Sequence, residues 1–171
     1  SIVLPDSITT IGAYAFSGCT KLSSVNFPLS WTTVTSLNGG NILSGCTQLT
    51  SITVPEGVPA IPTHAFEDCN YLKTVILPST LTSIGSDAFS GCVALNNVNV
   101  PAGVTSLGNS AFYGCTSLTA IILPNGLTKL GLYVFQNCTA LESIVLPDSI
   151  TTIGAYAFSG CTKLSSVNFP L

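Results

Sequence analysis

Residues 84–106, with the sequence IGSDAFSGCVALNNVNVPAGVTS, contain the unit whose repetition decides the fold. The unit recurs around seven cysteines, at Cys19, Cys46, Cys69, Cys92, Cys115, Cys138 and Cys161. The last five intervals between these cysteines are 23 residues, and the first is 27. A fixed period of this length predicts that one supersecondary unit is copied and stacked into a solenoid. We therefore expect function to lie on the surface of an array rather than in one deep active site.

The apolar residues of the unit change their spacing halfway along it. A first set recurs at steps of three and four and predicts the inward face of a short helical segment: Ile84, Ala88, Phe89, Cys92 and Leu95. Val98 and Val100 then alternate with polar residues, which predicts a short strand with both valines inward. Pro101 ends this strand because its nitrogen cannot donate to a sheet.

Gly91 is predicted to end the helical segment with a positive φ angle. Its equivalents in the other units are Gly18, Gly45, Asp68, Gly114, Asn137 and Gly160. Gly, Asn and Asp are the residues that best tolerate the left-handed region of backbone conformation. The substitution pattern within this one chain therefore favours a helix C-cap at this position.

The regular cysteines predict a buried ladder of free thiols. Equivalent residues on adjacent coils lie about 5 Å apart by strand spacing, which is within disulfide range by distance alone. Stacked side chains on adjacent coils point the same way, however, and an odd number leaves at least one thiol unpaired. We expect Cys to act here as a small hydrophobic residue.

Three residue pairs recur together at fixed offsets, as in Ala65-Phe66, Gly91-Cys92 and Leu77-Pro78. This combination resembles the BspA-like, or Treponema-type, leucine-rich repeat family over essentially the whole chain. Departures at Ile42-Leu43, Val134-Phe135 and Pro62 preserve apolar volume. The resemblance implies a right-handed solenoid of about seven repeats, with a parallel concave sheet of short strands and short helical or 3-10 segments on the convex side. It also implies a cell-surface or secreted setting with roles in adhesion or host contact, and it brings no catalytic residues.

A longer period lies above the 23-residue one. Residues 1–29 and 143–171 are identical, at an offset of 142 residues that equals the sum of the six cysteine intervals. Residues 1–171 are therefore expected to form one continuous solenoid that is a window onto a longer array with a 142-residue super-repeat. The absence of methionine and of polar end caps agrees with this interpretation, and an engineered duplication is the alternative.

Composition excludes several classes of function. The chain has four lysines, no arginine and a net charge of −3, which argues against nucleic acid and anionic membranes as partners. No apolar run is long enough for a membrane span. A nucleophile would need a paired base, but His64 is the only histidine and the cysteines belong to the core pattern. His64 with Glu67, Asp68 and Asp87 could bind a metal or relay protons, but no second histidine supports such a site, and we interpret the four residues as an outer polar patch. We expect no enzymatic activity, no cofactor and no metal.

Five residues are candidates for interaction. Trp31 lies in an insertion within residues 30–33 that the fold does not require, where it either shields the adjacent coil or makes a lateral contact. Ile76, Ile122 and Val145 are apolar at outward strand positions, with Asn99 between the first two. They are either tolerated surface aliphatics or a shallow ligand stripe.

Two functions fit these observations. The first is an extracellular structural or adhesive protein whose repeats stack continuously into a filament or cell-surface fibre, with other copies of itself as partners through end-to-end or lateral assembly. The alternative is a cell-surface recognition ectodomain that binds a host or matrix protein, or a glycan, on its concave face.

Overall fold

The computed structural model describes residues 1–8, 11–26 and 40–168, and within them thirteen short strands form two rows. The first row, the concave row, contains β1 (Ile2–Val3), β2 (Val25–Asn26), β3 (Ser51–Thr53), β5 (Thr74–Ile76), β7 (Asn97–Asn99), β9 (Ala120–Ile122), β11 (Ser143–Val145) and β13 (Ser166–Asn168). The second row contains β4 (Ala60–Ile61), β6 (Ser83–Ile84), β8 (Ser106–Leu107), β10 (Lys129–Leu130) and β12 (Thr152–Ile153). We call each turn of the solenoid a coil and name it by its cysteine.

The strand register confirms that equivalent residues stack. All paired strands are parallel, and Asn97, Val98 and Asn99 pair with the residues 23 positions later. The second row follows the same rule, since Ile84 pairs with Leu107. Sequence periodicity did not predict this second row, which turns each coil toward its next convex segment.

The core consists of columns in which equivalent side chains stack from coil to coil. Phe66, Phe89, Phe112, Phe135 and Phe158 stack face to face, with neighbouring ring centroids 5.3–5.7 Å apart. The inward residues predicted for the Cys92 coil are all buried. Because each coil covers the apolar face of the one before it, hydrophobic burial is continuous along the stack.

The convex segments were predicted to be helical, and this prediction was wrong. No helix occurs among the described residues, so none of them belongs to a helix long and apolar enough to cross a membrane. In the Cys69 coil, alternate N–H groups donate to the next coil: His64 to the Ser86 oxygen, Phe66 to Ala88 and Asp68 to Ser90. The N–H groups between them close tight turns within the coil, as Ala65 does to the Pro62 oxygen. An α-helix would use these donors four residues back, so inter-coil bonding replaces it.

Positive φ angles explain why the turns cannot become a helix. The position of Gly91 has φ of 72°, and all its equivalents are positive, as predicted. A second positive position lies four residues earlier in every coil, and the sequence did not reveal it. Its occupants are Tyr14, Asn41, His64, Asp87, Ser110, Tyr133 and Tyr156, with φ of 53–66°. Each of these residues lies in the left-handed region of backbone conformation. Two such residues in each convex segment interrupt helical geometry, which requires negative φ throughout.

Neighbouring coils approach each other closely at the corner after the second row. A Cβ atom placed on Gly108 would lie 2.5 Å from the carbonyl carbon of Gly85 and 2.6 Å from the Cα of Ser86. Backbone atoms cannot be displaced as easily as a flexible side chain, so a side chain at Gly108 would force its coil away from the preceding one.

The cysteines form the predicted ladder of free thiols, and it has a polar function as well. Six Sγ atoms each donate to a backbone oxygen of the preceding coil at 3.0–3.2 Å, as Cys92 does to Phe66. Burial raises the pKa of the Cys69 thiol to about 12 and that of Cys92 well above its ordinary value. Cys46 to Cys138 are buried, whereas Cys19 is exposed and Cys161 is half-buried.

Candidate interaction surface

The outward side chains of β3, β5, β7, β9, β11 and β13 form a face that we call the concave face. Every residue predicted to point outward from these strands is exposed, while the central residues, such as Val98 and Ile121, are buried. The alternation follows from the strand geometry, in which successive side chains point to opposite faces. Most outward residues are Ser, Thr or Asn.

Ile122 and Val145 form an apolar pair at the centre of this face. The two residues are direct partners in adjacent strands, and their side chains are 75% and 66% exposed. They line a shallow groove of about 420 Å³ together with Asn125, Ser143 and Pro147. Two adjacent exposed aliphatic residues on an otherwise polar face are the concave face's most distinctive feature.

The remaining concave candidates flank this pair. Asn99 pairs with Ile122 in the register and is exposed, and Ile76, one coil further, is 55% exposed. The apolar positions are thus interrupted by one polar residue, as the sequence predicted. On the other side of the pair, Asn168 pairs with Val145 and accepts a hydrogen bond from the Leu146 N–H at 2.8 Å, so its Oδ1 atom is already engaged.

Chemically, the concave face suits recognition rather than reaction. Aliphatic side chains can cover an apolar patch of a ligand, and neighbouring hydroxyl and amide groups can donate and accept hydrogen bonds. Trp31, the other candidate, lies outside the described residues.

Sequence reasoning missed a second groove, on the convex side. It has a volume of about 320 Å³ and is lined in part by Ser110, Tyr113, Tyr133 and Gln136. Tyr133 also stacks on Tyr156 with ring centroids 5.3 Å apart. The recurrence of tyrosine at one repeat position was the available signal, but the predicted helix concealed which way these side chains point.

Comparison with solved structures gives the same architecture. A leucine-rich repeat protein from Bacteroides ovatus is 34% identical and superposes with a TM-score of 0.86, covering 95% of this chain and 41% of that one. A leucine-rich repeat protein from T. pallidum is 33% identical with a TM-score of 0.88, covering 96% of this chain and 78% of that one. A leucine-rich cell surface protein from Faecalibacterium prausnitzii is 26% identical with a TM-score of 0.60, covering 98% of this chain and 60% of that one.

The chain therefore spans less than half of the Bacteroides ovatus protein. No curated protein sequence matches it significantly. The family model for the BspA type leucine-rich repeat region, however, matches residues 1–115 and 82–171, with six copies. Together with the cysteine-centred coils and the parallel register, this match shows that the chain belongs to the BspA-type leucine-rich repeat family.

Proposed function

We propose that the chain is part of an extracellular structural and adhesive protein in which coils stack continuously into a fibre, with 142 residues as the period. The observation that carries this proposal is the identity of residues 1–29 and 143–171. It is supported by identical local geometry: Val3 pairs with Asn26, and Val145 pairs with Asn168. The Leu4 N–H donates to the Asn26 side chain at 2.9 Å, as Leu146 does to Asn168 at 2.8 Å.

An extracellular location is supported by one relative and by composition. The Faecalibacterium prausnitzii protein of the same fold is described as a cell surface protein. Only 6% of this chain is charged, compared with about a quarter in average proteins. Low charge reduces repulsion between copies, which suits a molecule whose partners are other copies of itself.

The length of tandem blocks tests continuous stacking. Six coils at a strand spacing of about 4.8 Å advance the stack by about 29 Å. Chains carrying one, two and three 142-residue blocks are compared by small-angle X-ray scattering, and the maximum dimension is expected to grow by about 29 Å per block. A matched chain with a flexible Gly-Ser linker between blocks serves as the control. Dimensions that match the linker control would contradict the proposal.

A second function, recognition on the concave face, is favoured by the Ile122–Val145 pair. These side chains are exposed in register above the groove that Asn125 and Pro147 help to line. A ligand there would be a glycan or an extended protein segment with an apolar side, because a shallow groove cannot enclose a compact ligand.

Binding to immobilised glycans and extracellular-matrix proteins tests this alternative. The double variant Ile122→Ser/Val145→Ser is expected to lose binding that the unmodified chain and a Thr53→Ser control retain. Binding that survives the double variant would assign recognition to another surface, and fibre-length growth without any such binding would leave the first proposal standing alone.

A further inference from the structure

Three chemistry-bearing side chains meet on the convex side, where the Cys69 and Cys92 coils adjoin. His64 and Glu67 belong to the first coil and Asp87 to the second, and their ligand atoms all lie within 4.8 Å of one another. The side chains of His64 and Glu67 are 34% and 29% exposed. The cluster is thus partly shielded, yet it is open enough for an ion and its water ligands to enter.

The backbone brings these residues together through the repeat itself. His64 and Asp87 occupy the same repeat position in adjacent coils, both with positive φ, of 55° and 53°. The His64 N–H donates to the Ser86 oxygen at 2.8 Å, which ties the two positions to each other. Glu67 closes the turn after His64, since its N–H donates to the His64 oxygen at 3.3 Å. The arrangement is therefore built into two coils.

The polar atoms of the cluster are not satisfied by one another. The Nδ1 atom of His64 lies 3.0 Å from Glu67 Oε2, but the contact lacks hydrogen-bond geometry, and Nδ1 is buried without a hydrogen-bond partner. A buried polar atom without a partner is destabilising. All four lysines are described, and none lies within salt-bridge distance of Glu67 or Asp87. A cation between the three side chains would give the Nδ1 atom of His64 a partner and would balance the negative charge of Glu67 and Asp87.

We propose that His64, Glu67 and Asp87 bind a divalent ion of the zinc class and thereby link two successive coils. One imidazole nitrogen with two carboxylates is a donor set that zinc accepts, commonly with water completing a tetrahedron. Calcium is disfavoured because it takes six to eight oxygen ligands. Ligand atoms around tetrahedral zinc lie about 3.3 Å apart, so the observed cluster needs only small side-chain movements. The polar patch predicted from sequence is thus a metal-linked junction.

The test uses the imidazole of His64, the only histidine in the chain. The metal-free protein is alkylated with iodoacetamide in its folded state, because the exposed Cys19 thiol could itself bind zinc. Zinc chloride is then titrated while the imidazole resonances are followed by NMR and binding is measured by calorimetry. We expect saturable binding of one ion per chain in the micromolar range, with the Nδ1 resonance shifted.

Two variants and one control locate the site. His64→Asn keeps a residue that tolerates positive φ, and Asp87→Asn removes the ligand from the neighbouring coil; each should weaken zinc binding at least tenfold. Asp148→Asn makes the same charge change at an exposed residue outside the cluster and should bind as the unmodified chain does. Circular dichroism confirms that each variant is folded.

Three results would overturn the proposal. The first is an imidazole spectrum that zinc does not change, and the second is binding only in the millimolar range. The third is that His64→Asn loses zinc binding while Asp87→Asn binds zinc as the unmodified chain does, because a site confined to one coil cannot link two.

Discussion

Replacing Phe112 by alanine should be among the most destabilising single changes in this chain. The ring is fully buried and lies between Phe89 and Phe135, with centroid separations of 5.4 and 5.7 Å. Phe→Ala in a core costs about 3–5 kcal/mol through lost transfer free energy and the remaining cavity. Each aromatic pair adds about 0.5–1.5 kcal/mol, and rings held on both sides limit collapse into the cavity. We therefore expect a loss of about 4–5 kcal/mol.

Phe158→Ala is the matched control within the same column. Phe158 is only partly buried, and among the described residues it stacks on Phe135 alone, at 5.7 Å. One stacking pair instead of two and partial exposure predict a loss of about 2 kcal/mol.

Urea unfolding followed by far-UV circular dichroism measures both free energies of unfolding. Equal losses for the two variants, or a loss below about 1 kcal/mol for Phe112→Ala, would refute the reasoning that burial in a continuous stack determines stability.

Three further predictions concern the coil junctions. Burial raises the pKa of the Cys69 thiol from near 9 to about 12. Because the folded state holds the thiol proton more tightly than the unfolded state does, the contribution of Cys69 to the free energy of unfolding should be complete below pH 9 and should decline toward pH 12. Thermal unfolding across that pH range would show this decline. Gly108→Ala should cost about 3 kcal/mol because its Cβ meets backbone, whereas Gly12→Ala, with no described atom within 4 Å, should cost little in the same urea assay. Ser110→Gly should stabilise by about 0.5 kcal/mol, because relief of positive φ exceeds glycine's entropic cost, and a lower urea midpoint would contradict this.

The inward side chains could be predicted from the sequence because burial imposes periodicity on composition. Phe89, Cys92 and Val98 were assigned correctly, as was the positive φ of Gly91, whose equivalents are restricted to Gly, Asn and Asp. Inward steps of three and four suit a helix, but they suit two consecutive tight turns equally well. Spacing alone therefore could not distinguish these alternatives.

What the sequence concealed depends on contacts between coils. The second positive-φ position carries residues such as Tyr133, His64 and Ser110, so no compositional restriction marks it. Inter-coil hydrogen bonds compensate for that backbone cost, and they are invisible in one repeat considered alone. On the concave face, Ile122 and Val145 were predictable from alternation, since an aliphatic residue at an outward position contrasts with its polar neighbours. The unsatisfied Nδ1 atom of His64 could not be predicted, because it depends on how the side chains of two adjacent coils are placed against each other.

The convex hydrogen bonds give the stack a direction. Along this edge, the N–H groups of alternate residues in one coil always donate to the coil that follows, as Asp87, Phe89 and Gly91 donate to Asn109, Ala111 and Tyr113. One side of every coil thus offers backbone donors here, and the opposite side offers backbone acceptors. A coil approaching in the reversed orientation would place backbone donors against backbone donors. Coils can therefore stack along this convex edge only in head-to-tail order.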